Sequence, residues 1–195
     1  MARTARVQRK TQETQIVVEI DLDGKGRTQI NTGVGFFDHM LTHIGRHGLF
    51  DLKVEAAGDL HIDLHHTVED VGICLGTAID QALADKTGIC RFGHASVPMD
   101  EALADVAIDM SGRPALVYSA NYPASKIGQF DTELVREFCR ALCNHARMNL
   151  HVNVPYGFNN HHIAEAISKA IGRALRQALS IDARETEVPS TKGSL

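Results

Sequence analysis

From Thr14 to Leu22 the chain is a short apolar run rich in β-branched side chains, which predicts a strand. Asp23-Gly24-Lys25-Gly26 is a turn signal, and Arg27 to Asn31 returns as a second strand. Between Phe36 and His47 the apolar period lengthens. Phe37, Met40, Leu41 and Ile44 share one side of a short helix, with Gly48 at the position just past its end. Asp51 to Ala56 reads as a strand. Val68, Leu75, Ile79 and Leu83 mark the core stripe of a longer helix from about His65 to Lys86, with Gly88 as its stop.

The second half repeats that order. Ala102 to Asp109 and Ala115 to Ser119 are expected to form a hairpin around Ser111-Gly112-Arg113. A helix from about Asp131 to Ala146, a strand from Leu150 to Val154 and a helix from about His162 to Leu179 follow. Each half is therefore ββαβα. The expected fold is α+β: two such units, each a two-layer arrangement of sheet and helices, related by pseudo-twofold symmetry within one domain spanning 1–195. The units run from about 10 to 92 and from about 93 to 180, and the tail 181–195 has no periodic pattern.

A short motif ties the halves together. His65-His66-Thr67-Val68-Glu69 returns as His161-His162-Ile163-Ala164-Glu165, an offset of 96. Aligning Leu52-Lys53-Val54 with Leu150-His151-Val152 needs an offset of 98, which also pairs His39 with Glu137 and His47 with His145. A lone HHxxE match is weak, since a helical histidine is more often a core or surface residue than a ligand. Two copies in matching context indicate an internal duplication that carries its ligands with it.

The spacing has a chemical consequence. Residues i and i+4 share a helix face, so His65 with Glu69, and His161 with Glu165, can each grip one metal ion. The adjacent His66 and His162 point about 100° away and would serve a different ion. With His39 and Glu137 on the short helices, the chain offers eight ligands for two ions. Imidazole and carboxylate without thiolate, with octahedral positions left open, suit Mn²⁺ or Fe²⁺ better than a closed zinc site. The expected division gives each ion a His/Glu pair from one repeat and the offset histidine of the other, within a chain or between chains.

Composition narrows the class. The chain has 195 residues, 44% of them apolar, enough to build a core without staples. A net charge of −4 argues against nucleic-acid binding, and eleven histidines are the outlier expected of a metal protein. Cys74, Cys90, Cys139 and Cys143 lack CxxC spacing and read as free thiols in a reducing cytoplasm, with Cys139 and Cys143 as core helix positions. No apolar run is long enough to span a membrane or serve as a signal peptide. Arg3, Arg6, Arg9 and Lys10 are expected to form a solvated basic arm.

With these residues in view, the chain closely resembles the imidazoleglycerol-phosphate dehydratases of histidine biosynthesis. The resemblance rests on Arg9 to Thr14, Thr32 to Gly48, Gly58 to Asp70, Pro98 to Ala102, Ser111 to Pro114, the second HHxxE, Arg173 to Gln177 and the closing Pro189 to Gly193. It implies a shell of twenty-four identical subunits with active sites between them, two Mn²⁺ ions per site, and no fused phosphatase domain. Carried over by position, it implies His39, His65, His66, Glu69, Glu137, His161, His162 and Glu165 as metal ligands, with either histidine or glutamate serviceable at position 137. Glu13, His47, Glu69 and Glu165 are implied as catalytic groups. Around the substrate the resemblance adds Arg91, Arg113 and Lys169, with Ser190, Thr191 and Lys192 of the tail, to Glu13, His47 and the ligands His39, His65, Glu69 and His161.

In the implied reaction, imidazole glycerol phosphate loses water to give imidazole acetol phosphate. The departing carbon-bound hydrogen has no neighbouring carbonyl to acidify it. A cation on the ring nitrogen would favour the imidazolate form, which could expel the adjacent hydroxyl to give a diazafulvene-like intermediate. Glu13 is the candidate base or proton shuttle and His47 the candidate acid. Arginine forks, a lysine point charge and hydroxyls suit the phosphate. Two other classes compete: a non-catalytic metal-binding shell protein, and a dinuclear metallohydrolase of a phosphate ester.

Overall fold

Two four-stranded sheets, each covered on one face by helices, make up the chain, which the computed structural model describes over residues 2–195. The first half runs β1 (Thr4–Lys10), β2 (Thr14–Asp21), β3 (Thr28–Asn31), α1 (Gly35–Gly48), β4 (Asp51–Gly58) and α2 (His65–Leu83). The second runs β5 (Phe92–Met99), β6 (Ala102–Asp109), β7 (Ala115–Ser119), the small ribbon β8 (Lys126–Ile127) and β9 (Phe130–Asp131), then α3 (Glu133–Ala146), β10 (Asn149–Tyr156) and α4 (Asn160–Leu179). Strand order is β1-β2-β4-β3 in one sheet and β5-β6-β10-β7 in the other. Both halves contain the expected ββαβα series, each preceded by one antiparallel edge strand.

Register follows burial. Ile16, Val18 and Ile20 face the helices at 0–3% exposure while Val17 and Glu19 face outward. Val54 lies opposite Val18 in β2 and Ile30 in β3. Val152 holds the matching place between Val106 and Tyr118. The apolar positions expected on α1 and α2 are all buried.

The helices pair across the halves, α2 with α3 and α4 with α1. Glycines set these approaches. A Cβ on Gly76 would stand 2.7 Å from the Leu142 carbonyl oxygen, and one on Gly172 2.7 Å from that of Ile44. A Cβ on Gly93 would stand 1.9 Å from the Ala174 carbonyl, so β5 can run directly beneath α4.

Several expectations are corrected. The basic segment is not a free arm: Thr4–Lys10 is the edge strand β1, whose Arg6 and Lys10 stay exposed while Arg6 pairs with Glu19 at 3.1 Å and Arg9 with Asp70 at 2.9 Å. Neither expected hairpin forms. Strands β4 and β10, whose Val54 and Val152 are almost wholly buried, lie between the expected partners and separate β2 from β3 and β6 from β7. Gly48 is the last residue of α1 rather than its left-handed cap, a role taken by Leu49 (φ 58°). Glycine is needed at position 48 because the Phe50 ring packs where a Cβ would sit.

Helix α2 ends at Leu83, before Lys86 and Gly88. Left-handed Ala84 and Lys86 turn the chain back, and the buried Lys86 amine reaches Asp80 at 3.5 Å. Gly88 instead pairs with the tail, donating to the Glu187 carbonyl at 3.0 Å and accepting from Asp182 at 2.9 Å. Asp131 lies in β9, two residues before α3. Cys139 and Cys143 are buried core thiols of α3, and all four cysteines are free. Among the described residues, no helix is long and apolar enough to cross a membrane.

Candidate active site

The start of α4 is fixed by Asn159, whose side chain accepts from the backbone N–H groups of His161 and His162 at 2.9 and 3.3 Å. One turn on, Glu165 Oε2 meets His161 Nε2 at 2.9 Å and His39 Nε2, from α1, at 3.2 Å. Its other oxygen receives Lys169 Nζ at 2.6 Å and faces His43 Nε2 at 3.4 Å. His39, His43 and Glu165 place one donor atom each within 4.8 Å of the others, a cation-sized group.

The electrostatics of this cluster oppose one another. Burial pushes the Glu165 carboxyl up, but hydrogen bonds from Lys169 and His161, with His43 and Lys169 charge, hold it at about 2. Burial lowers His43 to about 4, so its ring is neutral near pH 7. Burial and the cations Lys169, Arg173 and Arg46 also lower His47, whose ring stacks on His43. The edge of Phe36 packs against His161, with ring centres 5.2 Å apart.

A second cluster forms at the start of α2. The backbone N–H of His65 is held by Asp63 at 2.8 Å, and its Nε2 lies 3.8 Å from Glu69 Oε2. From α3, Arg140 reaches Glu69 at 3.4 Å and also contacts Glu137. Glu137 Oε2 is shut off from solvent against that guanidinium yet accepts no aligned hydrogen bond. Its unused acceptor capacity suits a cation.

His66 and His162 belong to neither cluster. His66 turns to Asp59 at 3.0 Å, with Glu13 at 3.8 Å. His162 turns to Glu101 at 2.6 Å, with Asp100 at 3.7 Å. By strand register Glu13 and Glu101 are counterparts, since Val18 and Val106 hold matching places in the two sheets. They differ in freedom. Glu101 also accepts from the backbone N–H groups of Phe158 and Asn159 at 3.1 and 2.8 Å, and the His162 hydrogen bond leads in holding its carboxyl at about 2. Glu13 has a half-exposed side chain with no hydrogen bond of its own.

The phosphate-type groups separate. Lys169 sits in the α4 cluster. Arg91 is clamped by Asp109 at 2.7 Å, stacks on Phe92 at 4.7 Å, and donates to the Pro189 carbonyl at 2.8 Å, so it holds the tail beside Ser190, Thr191 and Lys192. The chain's end lies against Gly112, next to exposed Arg113. The backbone of Arg91 bonds to Ala178, 13 residues beyond Glu165 and so about 20 Å along α4. A concavity of about 620 Å³ lies on the outer face of the first sheet among residues such as Arg6, Glu19 and Lys53, away from both clusters.

The sequence reading missed His43, Arg140, Asp59 and Glu101. His39, His43 and His47 recur every four residues, a visible helical ladder. The partnership of Glu101 with His162 spans 61 residues and has no local signal.

The sequence profile of the family described as imidazoleglycerol-phosphate dehydratase matches residues 32–175. An imidazoleglycerol-phosphate dehydratase of Citrifermentans bemidjiense is 60% identical over 195 residues, all of both chains. That of Desulforamulus reducens is 61% identical over 193 residues, 99% of this chain and 98% of its own. Among solved structures, the Staphylococcus aureus enzyme superposes with TM-score 0.84 at 42% identity, covering 92% of this chain and 99% of its own. The Pyrococcus furiosus enzyme gives TM-score 0.84 at 38% identity, covering 97% and 100%.

Proposed function

The chain belongs to the imidazoleglycerol-phosphate dehydratase family, and from that premise we propose how it dehydrates imidazole glycerol phosphate in histidine biosynthesis. It is a lyase. We further propose that it works with two Mn²⁺ ions at sites completed between copies of the chain, in a shell of twenty-four.

The observation that carries this reading is the pair of His/Glu clusters, one at the start of α4 and one at the start of α2. The donors are imidazole and carboxylate, three of them within 4.8 Å in the α4 cluster, which suits a borderline-hard divalent cation. Glu137 Oε2, buried against the Arg140 guanidinium without an aligned hydrogen bond, could take a second cation at the α2 cluster. His39, His161 and Glu165 would hold one ion, and His65, Glu69 and Glu137 the other. His66 and His162, which turn away from both clusters, would complete the ligand sets of neighbouring copies. When bound, such a cation supplies Lewis acidity at the substrate's ring nitrogen and so favours the imidazolate.

The chain's own groups do the rest. The imidazolate ring expels the adjacent hydroxyl, leaving a diazafulvene-like species, and loss of the next carbon's hydrogen gives the enol of the ketone product. Glu13 suits that proton transfer because, among the described residues, its half-exposed carboxylate takes no hydrogen bond and only approaches His66, at 3.8 Å, whereas its counterpart Glu101 is tied by three hydrogen bonds. Burial and nearby cations lower His47, which favours its neutral ring, so it would hand a proton to the leaving hydroxyl only after receiving one, as a relay. Arg91, Arg113, Lys169 and the Ser190-Thr191-Lys192 tail bind the phosphate.

Distance supports assembly. Arg91 and the tail lie about 20 Å along α4 from Glu165, too far for one small substrate to touch both on a single chain. Product analysis tests the reaction class. Ketone formation with no inorganic phosphate is expected; release of phosphate would mean a hydrolase.

A further inference from the structure

Building on the metal-centred reading above, we infer that Asp59 and Glu101 are positioning residues: each takes the Nδ1 proton of the second histidine of a motif and leaves that ring's Nε2 lone pair free for a divalent cation.

The geometry is the same at two places. Asp59 Oδ2 is 3.0 Å from His66 Nδ1, and Glu101 Oε2 is 2.6 Å from His162 Nδ1. An ionised carboxylate only accepts hydrogen bonds, so each Nδ1 carries a proton, and a neutral ring would then keep its lone pair on Nε2, which faces Glu13 at 3.8 Å in His66 and Asp100 at 3.7 Å in His162. The first histidines differ. His65 and His161 use Nε2 toward Glu69 and Glu165, and among the described residues neither has an Nδ1 hydrogen bond.

Inherited packing does not explain the match, because the two carboxylates come from unrelated backbone positions. Asp59 follows β4, and the residue 98 positions on is Gly157, which has no side chain to offer. Glu101 lies in the β5–β6 turn, and its register counterpart is Glu13, which approaches His66 only at Nε2 and at 3.8 Å. Each half has thus reached the same carboxylate–imidazole pair by its own route. Both carboxylates are also held in place. The Asp59 backbone N–H donates to the Glu13 carbonyl at 3.1 Å, and Glu101 Oε1 takes two backbone N–H groups. A carboxylate on the far nitrogen fixes a ligating imidazole's orientation and raises its basicity, and losing such a partner typically costs ten- to a hundredfold in metal affinity.

The test uses full-length Asp59→Asn and Glu101→Gln variants, titrated with Mn²⁺ while free ion is followed by electron paramagnetic resonance. The metal-free melting temperature is measured alongside. Affinity about 10- to 100-fold weaker, with an unchanged metal-free melting temperature, is expected in both. Glutamine keeps an acceptor for Phe158 and Asn159; should Glu101→Gln still fail to fold, Asp59→Asn decides alone. If the unaltered chain binds Mn²⁺ and Asp59→Asn binds it equally well, the positioning role is wrong and the metal reading stands. An affinity loss matched by a fall in metal-free melting temperature would mark a structural role and also overturn it. An unaltered chain that binds no Mn²⁺ would overturn both.

Discussion

Gly76 on α2 and Gly172 on α4, 96 residues apart, make the same contact: each lets its helix touch the last turn of the short helix in the other half. Gly76 lies against Leu142 and Ala146, and Gly172 against Ile44 and Gly48, residues that are themselves 98 apart. These are the two offsets relating the repeated sequence segments. The crossings set where α2 and α4 begin, and with that the placing of both His/Glu pairs.

Substituting alanine for Gly76 or Gly172 therefore sets two effects against each other. Alanine gains up to about 1 kcal/mol in helix propensity. A methyl 2.7 Å from a backbone oxygen forces the helices apart, an overpacking cost of about 1–3 kcal/mol. The second effect prevails, so each variant should melt lower in denaturant titrations; an unchanged midpoint would mean the crossing is loose.

Glu13 and Glu101 hold matching places but should respond differently. Glu13→Gln removes a half-exposed carboxylate that only approaches His66, at 3.8 Å, so Mn²⁺ content and melting temperature should stay while kcat falls by about 100-fold or more. A near-normal rate would remove Glu13 from the proton transfer.

Acid should act through Glu165. Its folded-state pKa is held at about 2, below the ordinary 4.5, so its stabilising contribution is full above about pH 4.5 and is lost as pH falls toward 2. In metal-free protein, Glu165→Gln should cost about 1.5–3 kcal/mol at neutral pH by stripping Lys169 and His161 of a charged partner. That gap should close by about pH 2 in chemical denaturation series at stepped pH, and a constant gap would contradict the assignment.

Deleting residues from Ser190 onward should raise the substrate KM at least about tenfold, the loss of one or more charge-assisted hydrogen bonds to phosphate. The melting temperature should change little, because Arg91 keeps its pairing with Asp109 at 2.7 Å. An unchanged KM would show that the tail does not touch substrate.

The helices and the inner strands were legible because they rest on local period, and spacing alone singled out the two His-His-x-x-Glu motifs around which the clusters form. Strand β1 was not. Its Arg6 and Arg9 look like solvent-seeking charge, and only the carboxylates of Glu19 and Asp70, distant in sequence, turn them into an edge strand. Strand β5 was hidden by Gly93 and Pro98, which read as breakers; Gly93 is there because α4 passes over it. Which strand lies centrally was equally hidden, since β3 and β7 pair in parallel with strands that come a helix later. His66 and His162 were correctly separated from their neighbours by helical angle, but their carboxylate partners come from loops and turns that carry no periodic signal.

The most direct test strips the protein with a chelator, restores Mn²⁺, and follows ketone formation from imidazole glycerol phosphate. Turnover that disappears on stripping and returns with Mn²⁺ is the predicted result. Metal-loaded, assembled protein that forms no ketone, or stripped protein that turns over undiminished, would contradict the account.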